Sequence, residues 1–428
     1  MRQNASNWLE LADKVWNFRR DLLTPAEASD LTGRRDELRR NLRDRADAGK
    51  LKLAIEALEG ALRRAGGAIY PKSSLTEQVE FFLVAAIVIL GIRTYFVQPF
   101  KIPTNSMWPT YYGMTEENFP PGVEAPGFAR QVFRFLTVGA ERREAIAPRS
   151  GEVMAQFYET GQMAYTLRNG RSWLVFPAKL KEYSFYVDGA PTSIRVPVDF
   201  DAFDEAMAKT FFGSEGAFAQ YFQQSVREGR LMESSNRASD DTTELQPVFT
   251  LPLNRVVRKG EPVLRFDLMT GDQLFVDRLS YNFIRPRVGQ GFVFRTDHIA
   301  GIGVSDYYIK RLVGVPGDVM EVRQPTLFRN GRPITGSPIF DLESEEVAPY
   351  GGYTYADDIY SPHSPDRRAE YLRRNQTLTV PPQTFFAMGD NSARSSDGRV
   401  WGFVPAKDAI GRPLFIYFPF TSRWGIAK

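Results

Sequence analysis

One stretch constrains this chain more than any other: residues 81–97, FFLVAAIVILGIRTYFV, the only long apolar run in the sequence. Its uninterrupted part, 81–92, is 12 residues long, which also suits a buried core helix. Taken through Val97 it counts 17 residues. That is roughly 26 Å of helix, enough to span a thin or locally thinned bilayer. Arg93 can extend its charge to the interface, and Tyr95 and Phe96 suit an aromatic belt. The reading is a membrane helix over 77–98. Arg63, Arg64 and Lys72 precede it, which favours a cytoplasmic N-terminus.

On either side of that run the texture differs. Before it, Trp8, Leu11, Val15 and Trp16 recur near a helical period, and Thr24-Pro25 offers a cap followed by a first-turn proline. A second run carries Leu31, Leu38, Leu42, Leu51, Ile55, Leu58 and Leu62 among many charges and ends at Gly66-Gly67. Residues 1–76 therefore predict a charge-laced helical hairpin. After Lys101 come short β-like runs at 273–277, 291–294, 307–315, 384–388 and 413–417, with turns at Pro316-Gly317-Asp318 and Asn330-Gly331. Residues 111–259 read as an α+β insertion. They hold candidate strands at 173–176, 183–187 and 193–198, a helical stretch over 203–227 and a polar loop at 234–244.

Composition narrows the chemistry. The chain has 428 residues, no cysteine and two histidines, His298 and His363. Disulfides, thiolate metal sites, cysteine nucleophiles and three-histidine metal centres are excluded. With 54 basic against 51 acidic residues, nothing points to nucleic acid as a partner. A hydrolase built from these residues needs carboxylates, or a hydroxyl nucleophile with an unusual base. Lysine serves when a dry setting leaves its amine uncharged. Ser106, between Pro103 and Pro109, is one candidate. Lys310, in the otherwise apolar strand YYIKRLVGV, is the other. A third stretch, 386–402, packs Gly, Asp, Asn and Ser densely behind a strand.

Taken together, the three stretches resemble the signature boxes of bacterial type I signal peptidases, membrane-anchored Ser–Lys proteases. The S-M-x-P-T box matches Ser106 to Thr110. The Y-x-K-R-x-x-G-x-P-G-D box matches Tyr308 to Asp318. The G-D-N-x-x-x-S-x-D-S-R-x-x-G box matches Gly389 to Gly402, with Gly398 where Ser is usual. The resemblance covers about 77–110 and 260–428. It implies a mainly β catalytic domain over 99–110 and 260–428. By that register Ser106 is the nucleophile, Lys310 the general base and Thr104 the oxyanion-hole hydroxyl, where Ser is usual. Ser395 orients the lysine, and Asp397 with Arg399 forms a supporting ion pair. Phe100, Ile102, Met107, Tyr308 and Ile309 match substrate-pocket positions.

The resemblance also implies secretory preproteins with Ala-x-Ala cleavage sites as substrates, a lipid bilayer as partner, and no metal or other cofactor. It places the protein in the bacterial cytoplasmic membrane as a single-pass protein, its catalytic domain outside and Phe96, Phe100 and Trp108 on an apolar rim. His298, His363 and Asp272 read as structural or surface residues. Gln290 stands where an acid is usual, while Gly271-Asp272 is intact. The competing readings are a self-cleaving Ser–Lys protease and an inactive membrane scaffold whose insertion binds a partner.

Overall fold

The computed structural model describes residues 1–71, 74–172, 176–238, 245–302, 306–359 and 369–427. His363 and Lys72 lie outside them, as does most of the candidate strand at 173–176. Two units divide the chain, Met1–Gly91 and Ile92–Lys428.

In the first unit, α1 (Arg2–Arg19), α2 (Pro25–Arg43) and α3 (Ala48–Ala65) share a core. Ala5, Leu9, Ala12 and Val15 of α1 meet Leu31 and Leu38 of α2 and Leu51, Leu58 and Leu62 of α3. These positions fall three, four and seven apart, the spacing that puts one stripe of a helix inside. Thr24 caps α2 reciprocally with Glu27, whose carboxylate accepts the Thr24 N–H at 2.9 Å. The predicted hairpin is in fact three helices. Arg45 turns the chain at φ 54°, and the Asp47 carboxylate then accepts the N–H groups of Gly49 and Lys50 at 2.8 and 3.0 Å. A run dense in leucine hides that break, because the apolar period resumes after it.

Helix α4 (Ser74–Tyr95) carries the apolar run as far as Tyr95. Residues Glu77–Tyr95 have a mean hydropathy of 1.6 and none of that stretch is buried in the protein. The helix is long and apolar enough to cross a membrane. It stops short of the expected residue 98, because Val97 already pairs with Asp277 in a sheet.

The second unit is built on antiparallel sheets. Its largest sheet runs in the order 97–101, 273–277, 409–418, 291–295, 307–314, 384–388, 404–405, with 425–426 added to 409–418. A smaller four-stranded sheet (319–323, 326–329, 332–333, 377–379) carries the Asn330-Gly331 turn, both residues at positive φ (53° and 75°). That is the backbone a two-residue hairpin needs.

The insertion folds as a six-stranded sheet packed with α6 (Phe203–Phe212) and α7 (Glu215–Arg227), counting α5 as Phe128–Val138. The helical stretch expected over 203–227 is thus two helices, broken at Gly213 (φ 81°), with Ser214 capping the second. Of the polar loop expected at 234–244, residues 234–238 are instead the end of strand Met232–Ala238, paired with Leu245–Val257, and 239–244 lie outside the described residues. The module also takes more chain than its expected end at 259. Strand Pro262–Met269 pairs with Thr115–Asn118 and Glu141–Ile146, and its Val263, Leu264, Phe266 and Leu268 are buried in the insertion's core.

Candidate active site

Strand Val97–Lys101 pairs with Gln273–Asp277 at the edge of the large sheet and leads into a short turn, Asn105–Met107, that presents Ser106. The sequence fixes this segment tightly. Gly271 passes so close that a Cβ there would meet the Ile102 carbonyl oxygen at 1.9 Å, and one on Gly113 would meet Thr104 carbonyl carbon at 2.2 Å. Asp272, fully buried, accepts the Tyr112 N–H at 2.9 Å and pairs with Arg423 at 2.8 Å. Asn105 adds two bonds, donating to the Met114 carbonyl and accepting the Gly113 N–H.

Lys310 comes from strand Tyr307–Gly314, opposite Phe292. It is 4% exposed, and its Nζ lies 2.5 Å from Ser106 Oγ. Burial removes water from the amine and lowers its pKa from the ordinary 10.5 to about 8, against the opposing pull of Asp397. With a pKa near 8, roughly a tenth of the amine is uncharged at pH 7 and able to accept a proton, against almost none for an ordinary lysine.

The loop after strand Thr384–Met388 closes the site. Asn391 N–H donates to the Ser106 carbonyl at 3.1 Å, and its side-chain amide donates to the Asn105 carbonyl at 3.0 Å. Asp397 and Arg399, both fully buried, form a two-bond pair at 2.7 and 2.9 Å, and Asp397 also accepts the Gly389 N–H. The paired guanidinium holds the Asp397 carboxyl below its ordinary pKa despite burial. Arg399 further donates to Thr354 and Ser392, so the guanidinium is satisfied. This matters because an unpaired buried charge costs several kcal/mol.

Ser395 is fully buried beside this pair, and its Oγ has no hydrogen-bond partner among the described residues. A Cβ on Gly389 would meet Ser395 Oγ at 2.2 Å and the Ser106 carbonyl at 2.3 Å. Only glycine lets these two serines approach so closely. The bond from Ser395 to Lys310 that the resemblance implies is not formed here. Thr104 lies in extended backbone immediately before the turn. Of the pocket residues, Ile102 and Met107 are buried in one cluster, with Phe100 and Ile309 packed against it and partly exposed. Tyr308 packs elsewhere, against Phe294 and its neighbours.

The Gly398 departure has a packing reason: a side chain there would meet Phe386 and the Ala387 carbonyl at 2.8 Å. Gln290 accepts the Arg287 N–H at 3.2 Å, closing the turn before its strand.

A second buried pair was missed by the sequence reading. Arg311 and Asp390 stand within the quoted motifs, and their side chains meet at 2.6 and 2.7 Å, with Thr110 donating to Asp390 at 2.5 Å. They tie the strand of Lys310 to the segment of Ser106. Glu343 carried no sequence signal at all. It is buried near Asp390, accepts the Gly352 N–H, and burial raises its pKa to about 8. Among the described residues, Asp297, His298 and Asp408 could hold a metal ion, with ligand atoms within 4.8 Å. Asp297 already pairs with Arg295, and Asp408 with His298 Nδ1 at 2.8 Å.

A hydroxyl beside a dehydrated amine, held by buried charge pairs, is what a hydrolase working without a histidine base requires. The comparisons with known proteins agree with that class. Residues 263–418 match the family model described as signal peptidase, peptidase S26. The chain is 33% identical over 161 residues to a probable signal peptidase I-1 of Synechocystis, covering 37% of this chain and 67% of that protein. It is 30% identical to a signal peptidase I of Bacillus amyloliquefaciens, covering 28% and 55%. A thylakoidal processing peptidase of Arabidopsis thaliana is 29% identical, covering 35% and 37%. A crystal structure of a signal peptidase I from Enterococcus faecalis, 26% identical, is matched over 30% of this chain and 97% of that one at a TM-score of 0.22, too low to support a fold argument. The chain belongs to the S26 signal peptidase family. It spans between about a third and two thirds of these curated relatives.

Proposed function

We propose that this protein is a membrane-anchored endopeptidase that removes N-terminal signal peptides from translocated preproteins, using Ser106 as nucleophile and Lys310 as general base. The observation that carries the reading is the 2.5 Å approach of Lys310 Nζ to Ser106 Oγ in a buried setting. In this mechanism the uncharged amine takes the Ser106 Oγ proton as the oxygen attacks the scissile carbonyl. The carbonyl oxygen becomes an oxyanion, stabilised by the Ser106 N–H and the Thr104 hydroxyl. The ammonium of Lys310 then gives its proton to the leaving amine. Water, deprotonated by the same amine, hydrolyses the acyl-enzyme and frees Ser106. Asp397 and Arg399 hold the loop of Ser395, whose buried hydroxyl is the group that orients Lys310 in this reading. Phe100 and Ile309, partly exposed beside the nucleophile segment, border the shallow pockets for small residues, with Ile102 and Met107 as their floor.

Helix α4 anchors the chain in the cytoplasmic membrane, N-terminus inside and peptidase domain outside. Cleavage of a preprotein with an Ala-x-Ala junction tests the reading. Wild type should cut at that junction. Ser106→Ala and Lys310→Ala should each lose at least ~10³ in kcat while keeping the fold. A Lys310→Ala variant of near-normal rate would overturn the dyad.

A further inference from the structure

Helix α5 (Phe128–Val138) is amphipathic in the reverse of the usual sense. A surface helix of a soluble protein normally turns its apolar stripe inward. Here the polar side faces the protein. Gln131 donates to the Ala140 carbonyl at 3.0 Å and accepts from Arg142 at 2.7 Å, while Arg134 reaches the buried Asp267 at 3.1 Å. The apolar side faces out: Phe128 is 87% exposed, Phe133 66% and Leu136 64%, with Val132 beside them at 41%. At ~100° per residue these side chains span one continuous arc of the helix. No residue of α5 is buried.

This outward face continues onto a second part of the same unit. Phe420 N–H donates to the Thr137 carbonyl at 2.9 Å, which joins the C-terminal loop to the end of α5. Phe420 and Trp424, whose ring centroids are 6.5 Å apart, are both more than half exposed. An exposed apolar surface drawn from two distant stretches of chain marks an interaction site.

We propose that the outer face of α5, with Phe420 and Trp424, is a second membrane contact that lies in the headgroup region and seats the inserted module on the bilayer. The occupant is lipid for a reason of chain length. One residue, Phe96, separates the end of apolar helix α4 from the first strand of the Ile92–Lys428 unit. A bilayer that holds α4 therefore keeps this unit at its surface. Phenylalanine, tryptophan and leucine on such a face are the side chains that interfacial helices use. The proposal rests on the membrane-anchored reading of α4.

The chain lacks cysteine, so single cysteines can carry a polarity-sensitive fluorophore. The full-length protein is reconstituted in phosphatidylcholine–phosphatidylglycerol vesicles and labelled in turn at Leu136→Cys, Glu228→Cys and Leu83→Cys. Quenching by lipids carrying a nitroxide at the headgroup end of the chain is then read. The Leu136 label should be quenched at least as strongly as the Leu83 label and several-fold more than the Glu228 label, with a blue-shifted emission. Quenching at Leu83 without quenching at Leu136 overturns the proposal and leaves the anchor intact. No quenching at either position overturns both. A blue shift at Leu136 that lipid nitroxides do not quench also overturns it, since the face is then covered by protein, such as a second copy of the chain.

Discussion

Around the candidate dyad the structure closes guanidinium groups onto carboxylates: Arg311 onto Asp390, Arg399 onto Asp397 and Arg423 onto Asp272. The inserted module instead closes rings onto rings. Tyr183 stacks on Phe203 at 3.6 Å, Phe157 meets Phe218 at 5.3 Å, and Phe200 lies against Phe266. Of its buried charged centres, Asp267 between Arg134 and Arg142 is where the polar face of α5 docks. The apolar burial that dominates ring packing is non-directional and tolerates adjustment, so it suits a module that only has to fold. Fork-shaped ion pairs have a preferred geometry, so they suit three loops that must converge on one serine. Their desolvation makes them poor sources of stability, and their value here is in position.

The largest test of that contrast removes one half of a buried pair. Asp397→Ala leaves Arg399 charged and unpaired in the interior, which should cost about 3–5 kcal/mol and bring down activity with stability. Thermal unfolding and preprotein cleavage measured together would show it. Phe203→Ala in the insertion should cost a similar ~3–5 kcal/mol. The two cores share no residue, so kcat/KM of the folded protein on a short peptide should stay within about twofold. A tenfold loss there would break the separation between module and site.

A smaller effect follows from the dryness around Lys310. Its pKa of about 8 lies below the ordinary value, and the general base must be unprotonated to act. The kcat/KM should therefore fall with decreasing pH, tenfold per unit below about 8, and level off above it. A profile flat from pH 6 to 9 would remove the lysine from the role of base. The smallest effect is expected from Arg394, which reaches from the site loop to Glu215 of α7 at 2.7 Å with both side chains nearly half exposed. Arg394→Ala should cost about 0–1 kcal/mol in a thermal melt. A cost as large as that of Asp397→Ala would mean that burial does not separate the two kinds of pair.

Much of the site was legible because it is carried by short motifs. Ser106 and Lys310 were chosen from residue types and order, Asp397 and Arg399 came from the motif resemblance, and the strands at 273–277 and 384–388 were read to the residue. The Arg311–Asp390 pair escaped, although both residues stand in quoted motifs, because nothing local says that positions 79 apart will meet. Glu343 escaped for a plainer reason: one acid in a short helix looks like any exposed acid.

By itself the sequence determined the apolar helix, the helix-forming leucine spacing, the turn at Asn330-Gly331 and the residues available for chemistry, since each follows from local period, backbone preference or side-chain type. Tertiary structure alone decided which charges are buried, how far the amine of Lys310 falls from its ordinary pKa, and that strand Pro262–Met269 belongs to the insertion's core. It alone decided that α5 turns its apolar face outward. Burial is set by what packs on a group from remote parts of the chain, and no local pattern records it.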